Sequence, residues 1–517
     1  MWLTDVLLHR AEYFPDELAA VGDGTRLTNR DLLMRSNRLG SALWAQGVRK
    51  GDRVAIFSRN SPEMFETFFA AARIGAIVVP LNYRLPAREL HYILDNCGAQ
   101  TLIVEPALYG QIAPALADIN LQRLLSYGPG VEGASVVEEL MQAASPEPPA
   151  VSVGPEDRFT ILYTSGTTGD PKGAVLTHVV PKEMFLLVRP EYRSLPPSPV
   201  FYNCLPLFHI ALTMATTYWA GGFTLVFTRD WSPDAFLKTL ESERVTHCLV
   251  APVMILGSMD NVNMPKTDLS HLQEIAYGAA PMPPEPLRKA IVAFGCGFRQ
   301  WYGMTEAGGP VTTLPPEFHQ PEGDAQALHR LSSAGRPMCG VQVRIADPDD
   351  QPLPPGELGE IQIKAACCME GYWNLPEVTA ETMKDGWLHT GDIARRGEEG
   401  FFYIVDRKKD MIITGGENAF PIEVENVLYS HPAIREVAVI GVPHDLWGEE
   451  VMAIVVLKEG YQLTIDELTV HCGDKLASYK RPRRVEFVDA LPRNAAGKVL
   501  KKILREPYWV GETRRVH

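Results

Sequence analysis

Apolar and polar positions follow two different periods through the first part of the chain. The stretch RLTNRDLLMRSNRLGSALWAQG repeats apolar residues at helical spacing, and Thr28 is placed to cap that helix. EMFETFFAAARIG and ELHYILDNCGA share the helical pattern, whereas RVAIFS, AIVVPL and TLIVE are short apolar runs typical of buried strands. Strands that alternate with helices predict βαβ units and a mainly parallel sheet.

The pattern changes twice towards the C-terminus. Residues 335–364 contain short β runs separated by turn residues, which predict a small antiparallel barrel or sheet. After the charged run DRKKD, a helix–strand–strand pattern is long enough for a small α+β domain. We therefore predict an α/β fold with a large N-terminal domain of βαβ-type sheets and a β-barrel subdomain (1–406), a hinge (407–410) and a small C-terminal domain (411–517).

Composition and charge narrow the classes of protein that fit. The 517 residues are 46% apolar and 22% charged, which is typical of a globular protein with more than one domain. A net charge of −14 argues against nucleic-acid binding, because neutralising phosphates needs an excess of basic charge. The eight cysteines form no C-x-x-C pair and no zinc-spaced cluster, so we expect reduced thiols in a cytoplasmic protein.

Neither a signal peptide nor a membrane span is expected. The N-terminus lacks the basic start and unbroken apolar core of a signal peptide. Residues 205–227 form a long apolar stretch, but Pro206 and Gly221–Gly222 interrupt it, which predicts a buried helix and strand. Within that stretch, His209 is the only side chain that titrates near neutral pH.

A loop crowded with glycine and hydroxyl residues, TSGTTGDPKG, lies between two strand-like flanks, RFTILY and AVLTHV. Backbone N–H groups and hydroxyls can surround an anion, and Lys172 adds positive charge, so the loop predicts a phosphate site. It is not a Walker A loop, because Lys172 stands between Pro171 and Gly173. GPGVEG has the spacing of a dinucleotide-binding loop, but it follows LQRLLSY, a poor strand, and is expected to be a surface turn.

Further motifs follow that loop in order: PLFHI, YGAAP, YGMTEAG, GWLHTGDIA, DRKKDMIITGGENAFPIEVE and LPRNAAGKVLKK. Together with YTSGTTGDPKG, they resemble the signatures of the adenylate-forming superfamily of acyl-CoA synthetases, peptide-synthetase adenylation domains and luciferases. The resemblance implies an AMP-forming carboxylic acid–CoA ligase with ATP, Mg²⁺ and coenzyme A. A carboxylate would attack the α-phosphate of ATP, and the thiol of CoA would then displace AMP from the acyl-adenylate.

The resemblance also implies a role for each motif. Glu306 is expected to be the Mg²⁺ ligand and Thr305 a donor to the α-phosphate. Lys498 is expected to stabilise negative charge at the reacting oxygens. Asp392 should accept both ribose hydroxyls, with Arg407 on the other side of the ribose. The residues expected to hold the β- and γ-phosphates are Thr164, Ser165, Gly166, Thr167, Thr168, Gly169 and Lys172.

The remaining expected site residues follow in the same way. The catalytic set, Lys498, Thr305 and Glu306, is completed by His209 at the mouth of the acyl pocket. The C-terminal domain is expected to be mobile and to rotate between the two half-reactions about a hinge near Lys409. The residues expected at the adenine are Gly278, Ala279, Ala280, Tyr302 and Gly303. Those expected along the pantetheine tunnel are Gly415, Gly416, Glu417 and Asn418.

Two departures from the superfamily pattern bear on the substrate. Pro181 lies where relatives commonly have a polar helix, close to the substrate entrance. Trp301 precedes Tyr302 at a position where many relatives carry a smaller residue, and it would close a long acyl tunnel. We therefore expect a compact, branched, cyclic or aromatic acid, or a medium-length fatty acid, in preference to a very long chain.

Other functions stay open from the sequence. One is an acyl-AMP ligase that loads a carrier protein, and another is an enzyme that performs only the thioester step on a preformed adenylate. A scaffold that has lost catalysis would be expected to lack Lys498 or Glu306, and no feature favours a luciferase-type oxidase. The expected partners are small molecules (the acid, ATP and CoA), with no nucleic acid, while a homodimer stays open.

Overall fold

The structure of the protein is a computed structural model, and it describes residues 2–164, 170–407, 410–473, 475–493 and 499–510. Helices and strands alternate through the N-terminal part, and a smaller sheet follows near the C-terminus. The predicted α/β class is confirmed. The helices of the described residues are α1 Trp2–Tyr13, α2 Asn29–Ala45, α3 Pro62–Ile74, α4 Ala87–Cys97, α5 Tyr109–Ile112, α6 Val137–Ala143, α7 Val179–Val188, α8 Ala211–Ala220, α9 Pro233–Ser242, α10 Pro252–Met259, α11 Pro284–Phe294, α12 Ala325–Arg330, α13 Pro376–Thr382, α14 Pro421–Tyr429, α15 Ile465–Gly473 and α16 Lys501–Arg505.

The strands of the described residues form four sheets. In chain order they are β1 Leu18–Gly22, β2 Thr25–Thr28, β3 Arg53–Phe57, β4 Ile77–Pro80, β5 Thr101–Val104, β6 Arg123–Ser126, β7 Ser135–Val136, β8 Arg158–Thr164, β9 Lys172–Thr177, β10 Val200–Asn203, β11 Thr224–Val226, β12 His247–Val250, β13 Glu274–Tyr277, β14 Gly297–Met304, β15 Gly309–Leu314, β16 Arg336–Pro337, β17 Gln342–Ala346, β18 Leu358–Lys364, β19 Gly371–Tyr372, β20 Met383–Lys384, β21 Trp387–Arg396, β22 Phe402–Arg407, β23 Ile412–Thr414, β24 Glu417–Ala419, β25 Ile434–His444, β26 Gly448–Leu457 and β27 Arg484–Phe487.

The first large sheet has eight strands in the order β19-β9-β8-β4-β3-β5-β6-β7. Its centre is parallel, because β3 pairs with β4 and β5 through βα crossovers. The edge is antiparallel, since β8 returns directly into β9 and β9 pairs with the short strand β19. The glycine- and hydroxyl-rich stretch predicted to bind phosphate comes between β8 and β9 in the chain, and its residues 165–169 are outside the described residues.

The second large sheet has nine strands in the order β16-β15-β14-β13-β12-β10-β11-β1-β2. Strands β10 to β14 run parallel, and their carboxyl ends therefore meet at one edge, where ligands bind in open α/β sheets. Strand β14 continues past that edge to Met304 and turns back antiparallel into β15.

Helix α3 packs against both large sheets and contributes to the hydrophobic core between them. Ser61 caps it, Pro62 occupies the first turn, and Gly75 ends it in the left-handed conformation. The rings of Phe65 and Phe69 meet Trp219 of α8 edge-on, at 6.4 and 4.9 Å between centroids. Because nearly every residue of α3 is buried, the helix joins the two sheets through a shared apolar core.

Two smaller sheets complete the fold, one antiparallel and one mixed, since β27 pairs in parallel with β26. Residues 335–364 were expected to form a small barrel or sheet, and β17, β18, β20, β21 and β22 do form a five-stranded sheet. In the C-terminal part, β23 to β27 form another five-stranded sheet, packed against α14 and α15. The helix–strand–strand pattern predicted for that part corresponds to α14, β25 and β26.

Most local expectations are met, and one is wrong. Thr28 caps α2 in a capping box with Asp31. Residues 205–227 include the buried helix α8 and strand β11, and no helix of the described residues is long and apolar enough to cross a membrane. LQRLLSY, expected to be a poor strand, contains β6, which pairs in parallel with β5. This long-range pairing stabilises a segment whose own sequence pattern is weak.

Two further features singled out from the sequence are the GPGVEG stretch and Pro181. GPGVEG forms a surface turn in which Gly130 and Gly133 have positive φ values of 96° and 74°. Pro181 does not interrupt α7, because it lies in the first turn, where the missing N–H has no intrahelical partner to lose.

A buried ion pair links three helices of the N-terminal part. The carboxylate of Glu66 on α3 is fully buried and accepts bonds of 2.6 and 3.1 Å from the guanidinium of Arg35 on α2. Arg35 also bonds Glu138 on α6 at 3.0 Å. Burial raises the pKa of Glu66 to about 7, and Arg35 opposes that shift.

The first prediction concerns this pair. We expect Arg35→Met to lower the free energy of unfolding by about 3–5 kcal/mol, because it leaves a buried carboxylate without its partner. The loss should be smaller at a pH below the pKa of about 7, where Glu66 carries a proton. Denaturant unfolding at both pH values measures this, with Arg35→Met/Glu66→Gln as the variant that should recover most of the loss. A loss of less than about 1 kcal/mol would contradict the prediction.

Candidate active site

The carboxyl ends of β13 and β14 bring two backbone segments into close contact. Gly278 follows β13 directly and is buried against β14. A Cβ atom on Gly278 would lie 2.6 Å from the carbonyl oxygen of Trp301, so this approach requires glycine. Ala279, with a φ of 66°, and Ala280 continue from Gly278 towards solvent. This geometry leaves a backbone shelf of small residues beside β14.

Gly303 is equally constrained on β14. Its Cβ would lie 2.0 Å from the carbonyl oxygen of Gly309, where β14 folds back onto β15. The next residues, Thr305–Ala307, form a single 3-10 turn with Thr305 half-buried and Glu306 buried. The tight turn fixes the direction of both side chains relative to Tyr302.

Tyr302 is hydrogen-bonded to a carboxylate from another sheet. Its hydroxyl donates to Oδ2 of Asp392 at 2.8 Å, and Nε of Arg407 lies 3.3 Å from Oδ1 of the same carboxylate. Asp392 on β21 is the direct cross-strand partner of Arg407 on β22. Burial, together with the charge of Asp392, raises the pKa of Tyr302 well above its usual value, so its hydroxyl remains a donor at neutral pH.

Glu306 lies at the other end of the same short segment. Its Oε1 accepts a 2.8 Å hydrogen bond from the hydroxyl of Tyr372 on β19, and its backbone carbonyl accepts from the N–H of Met369 at 2.8 Å. The ammonium of Lys172, at the start of β9, lies 5.5 Å from the centre of the Tyr372 ring. The predicted metal ligand and the predicted phosphate lysine therefore meet at one tyrosine.

His209 precedes α8 and is partly buried beside Phe208, with the two rings 4.5 Å apart and nearly perpendicular. Burial lowers the pKa of His209 to about 4, and the nearby charge of Arg84 acts in the same direction. The imidazole is therefore neutral at pH 7. It can accept or donate a hydrogen bond without carrying charge.

Several predicted site residues lie outside the described residues: Ser165, Gly166, Thr167, Thr168, Gly169, Lys409 and Lys498. Thr164, at the end of β8, donates through its hydroxyl to the carbonyl of Lys172 at 3.4 Å. The remaining predicted residues form the exposed tip of the hairpin β23–β24: Gly415 and Gly416 make the turn, and Glu417 and Asn418 begin β24. The N–H of Gly415 donates to the carbonyl of Trp447 at 2.9 Å.

Buried charges connect the end of β22 to the C-terminal sheet. Oδ2 of Asp406 accepts from the N–H of Ile422 in the first turn of α14 at 3.2 Å, and burial raises the pKa of Asp406 to about 6. Lys501 pairs with Glu425 of α14 at 2.8 Å. These contacts fix the position of α14 relative to the strand that carries Arg407.

Tyr372 is the functional candidate that the sequence reasoning missed. It contacts both Glu306 and Lys172, and it stands within CCMEGYWN, outside every motif singled out from the sequence. The sequence signal that could have identified it is Gly371 followed by the aromatic residues Tyr372 and Trp373. Its partner, the carboxylate of Glu306, is far away along the chain, so no local pattern links the two.

The residues around Glu306 fit a hard divalent cation bound with its substrate. Among the described residues, no three His, Cys, Asp or Glu side chains are grouped closely enough to hold a metal ion. A buried single carboxylate beside a lysine suits Mg²⁺, which usually keeps one or two protein carboxylates, water and phosphate oxygens as ligands.

The fold and this arrangement of residues are those of an adenylate-forming enzyme. The chain belongs to the AMP-binding enzyme family: the sequence profile of that family matches residues 7–373, and that of the AMP-binding enzyme C-terminal domain matches residues 423–498. The resemblance to the adenylate-forming superfamily inferred from the motifs is therefore confirmed.

Individual relatives cover nearly the whole chain. A feruloyl-CoA synthase from Amycolatopsis sp is 40% identical over 97% of this chain and 98% of its own length. A long-chain-fatty-acid–CoA ligase from Mycobacterium tuberculosis is 37% identical, covering 97% of this chain and 98% of its own. The crystal structure of an anthranilate CoA ligase with anthranoyl-AMP superposes with a TM-score of 0.90 at 26% identity, over 98% of this chain and 97% of that one.

The second prediction tests the backbone shelf at Gly278. We expect Gly278→Ala to weaken ATP binding about tenfold, because the added Cβ would displace the backbone of Trp301 beside the predicted adenine position. Calorimetric titration with ATP measures the effect. Gly110→Ala is the matched control, since a Cβ there would meet no atom within 4 Å. Equal ATP affinity in both variants and the wild type would refute the prediction.

Proposed function

We propose that this enzyme activates a compact aromatic carboxylic acid with ATP and transfers the acyl group to coenzyme A. The predicted class, an AMP-forming carboxylic acid–CoA ligase, is confirmed by the family membership and by CoA-ligase relatives that match almost end to end. The choice of an aromatic acid, the use of Mg²⁺ and the roles of individual residues are the parts that we propose. The observation that carries the substrate class is the buried position of Trp301.

Trp301 is held in place by a buried polar network. Its side chain is 5% exposed, and the guanidinium of Arg299 lies 5.2 Å from the ring centre. Arg299 in turn bonds both carboxylate oxygens of Glu274, at 2.9 and 3.1 Å, and Glu191 at 3.2 Å. An indole fixed in this way cannot easily move aside for a long acyl chain, so the acyl pocket should end at Trp301.

The relatives support the same choice. The feruloyl-CoA synthase and the anthranilate CoA ligase carry names that specify aromatic acids. The long-chain-fatty-acid–CoA ligase is a relative of similar identity, which makes a long fatty acid the natural competitor in an experiment.

The proposed nucleotide site is built on Tyr302 and Asp392, which belong to different sheets and are hydrogen-bonded to each other. We propose that the adenine lies between the ring of Tyr302 and the shelf at Gly278, Ala279 and Ala280. The carboxylate of Asp392 would then accept the ribose hydroxyls, while Arg407, held 3.3 Å from that carboxylate, orients it.

In the first half-reaction, an oxygen of the substrate carboxylate forms a bond to the α-phosphorus, and the bond from that phosphorus to the pyrophosphate oxygen breaks. Lys498 would place its ammonium where negative charge builds up, and the hydroxyl of Thr305 would donate to the α-phosphate. Glu306 would hold Mg²⁺, which when bound neutralises charge on the phosphates. Lys172, Thr164 and the loop up to Gly169 would hold the departing pyrophosphate.

In the second half-reaction, the sulfur of CoA forms a bond to the acyl carbon, and AMP leaves with the electron pair of the broken carbon–oxygen bond. We propose that the C-terminal domain (411–517) turns about the hinge at 407–410 between the two steps, relative to the N-terminal domain (1–406). The exposed hairpin tip at 415–418 would then border the pantetheine arm. Neutral His209 would lie at the mouth of the acyl pocket.

The experiment that tests the function follows pyrophosphate, AMP and product mass together. The enzyme is incubated with ATP, Mg²⁺ and one acid from a set (ferulate, benzoate, octanoate or palmitate), with CoA or with a phosphopantetheinylated carrier protein. We expect pyrophosphate release and a CoA thioester of the aromatic acids. Acylation of the carrier protein alone would favour the acyl-AMP ligase, and thioester formation only from a supplied adenylate would favour the half-reaction enzyme.

The third prediction separates the two half-reactions. We expect Lys498→Ala to slow pyrophosphate release about 10²- to 10³-fold, because one preorganised positive charge is lost at the reacting phosphate. Thioester formation from a supplied acyl-adenylate should change much less, and Lys502→Ala, at an exposed neighbouring lysine, should affect neither step. Equal loss of both half-reactions in Lys498→Ala would contradict the assigned role.

The fourth prediction concerns the length of the acid. We expect Trp301→Ala to raise kcat/KM for palmitate relative to ferulate by about tenfold or more, because it opens the closed end of the pocket. Trp301→Phe, which keeps a large ring, should retain the preference for the aromatic acid. A wild-type enzyme that prefers palmitate, or a preference that Trp301→Ala leaves unchanged, would reject Trp301 as the limit of the pocket.

A further inference from the structure

Tyr372 occupies a position from which it can order two other residues of the site. Its hydroxyl donates to Oε1 of Glu306 at 2.8 Å, and the ammonium of Lys172 lies 5.5 Å from the centre of its ring. One side chain therefore satisfies a buried carboxylate through its hydroxyl and faces a cation with its π surface.

The backbone around Tyr372 is held firmly. Strand β19 pairs with β9, so that Tyr372 is opposite Ala174 and Gly371 opposite Val175. The N–H of Tyr372 donates to the hydroxyl of Thr379 at 2.8 Å, and the N–H of Trp373 donates to the carbonyl of Gly173 at 2.7 Å. The tyrosine is thus fixed to the strand that begins with Lys172.

Trp373 anchors the same strand from the opposite side. Its indole N–H donates to the carbonyl of Asn96 at 3.1 Å, and the guanidinium groups of Arg53 and Arg158 lie 5.7 and 5.3 Å from its ring. Arg158 is itself bonded to Glu370 at 2.6 Å. These contacts limit how far Tyr372 can shift when a ligand arrives.

Lys172 and Glu306 carry opposite charges, and they contact Tyr372 at its ring and at its hydroxyl respectively. Among the ion pairs of the described residues, none joins Lys172 to Glu306 within 4.0 Å. A direct pair between them would neutralise both charges and withdraw them from a nucleotide and its metal.

We propose that Tyr372 is a positioning residue that keeps Glu306 and Lys172 apart, through its hydroxyl on the carboxylate and its ring under the ammonium, ready for Mg²⁺-bound ATP. This role rests on the proposed function, in which Glu306 binds the metal and Lys172 the terminal phosphates. Tyr372 acts through these two residues and touches neither reacting atom.

The test measures how strongly Mg²⁺ tightens ATP binding. Calorimetric titration gives the Kd of ATP in EDTA and in excess Mg²⁺ for wild type, Tyr372→Phe and Tyr372→Leu. We expect Tyr372→Phe to reduce the tightening by Mg²⁺ about tenfold while leaving the Kd in EDTA nearly unchanged, since only the hydroxyl on Glu306 is lost. Tyr372→Leu should also weaken binding in EDTA, because Lys172 loses the ring as well.

Two further variants separate positioning from general damage. Tyr302→Phe removes the same kind of hydroxyl from a different carboxylate, that of Asp392, and should alter ATP affinity equally with and without Mg²⁺. In a Glu306→Gln background, Tyr372→Phe should have no further effect on the dependence on Mg²⁺. If Tyr372→Phe and Glu306→Gln each reduce the tightening by Mg²⁺ and their effects add fully in the double variant, the proposal is overturned.

The failure of this proposal can be told apart from the failure of the proposed function. If Mg²⁺ does not tighten ATP binding to the wild type, the metal role of Glu306 is wrong, and the role of Tyr372 falls with it. If Mg²⁺ tightens ATP binding to the wild type and equally to Tyr372→Phe, Tyr372 alone is wrongly assigned.

Discussion

The site depends on two hydrogen bonds that half-buried tyrosines donate to buried carboxylates. Tyr302 donates to Asp392, and Tyr372 donates to Glu306, each at 2.8 Å. Each bond joins different sheets. The bond from Tyr302 connects β14 to the five-stranded sheet that contains β21, and the bond from Tyr372 connects the turn after β14 to the edge of the eight-stranded sheet. The segment 302–306 is therefore held at the meeting point of three sheets.

This arrangement has an electrostatic consequence. A buried carboxylate needs donors, and a tyrosine whose pKa is raised supplies one without adding a competing positive charge. The cations of the site, Arg407 and Lys172, lie close to these two pairs. Carboxylates oriented in this way need little rearrangement when a nucleotide and its metal bind.

The sequence was sufficient for the elements and the class of enzyme but not for these long-range contacts. Helical and strand periods predicted α2 to α4 and β3 to β5, because their apolar faces repeat locally. The ordered motifs predicted the family, since every motif except PLFHI contains glycine, and most of them combine it with hydroxyl or charged residues. The strand β6 was missed because pairing with β5, and not its own residues, stabilises it. Tyr372 was missed for the same reason: its importance comes from Glu306, which no local pattern links to it.

The most direct test of the central claim is a burst experiment. The enzyme is mixed with saturating ATP and an aromatic acid, and CoA is left out. An adenylate-forming ligase should release close to one pyrophosphate per enzyme in a rapid burst and retain acyl-adenylate, which added CoA then converts to thioester and AMP. Release of inorganic phosphate with ADP, or the absence of any burst until CoA is added, would contradict an adenylate route through this site.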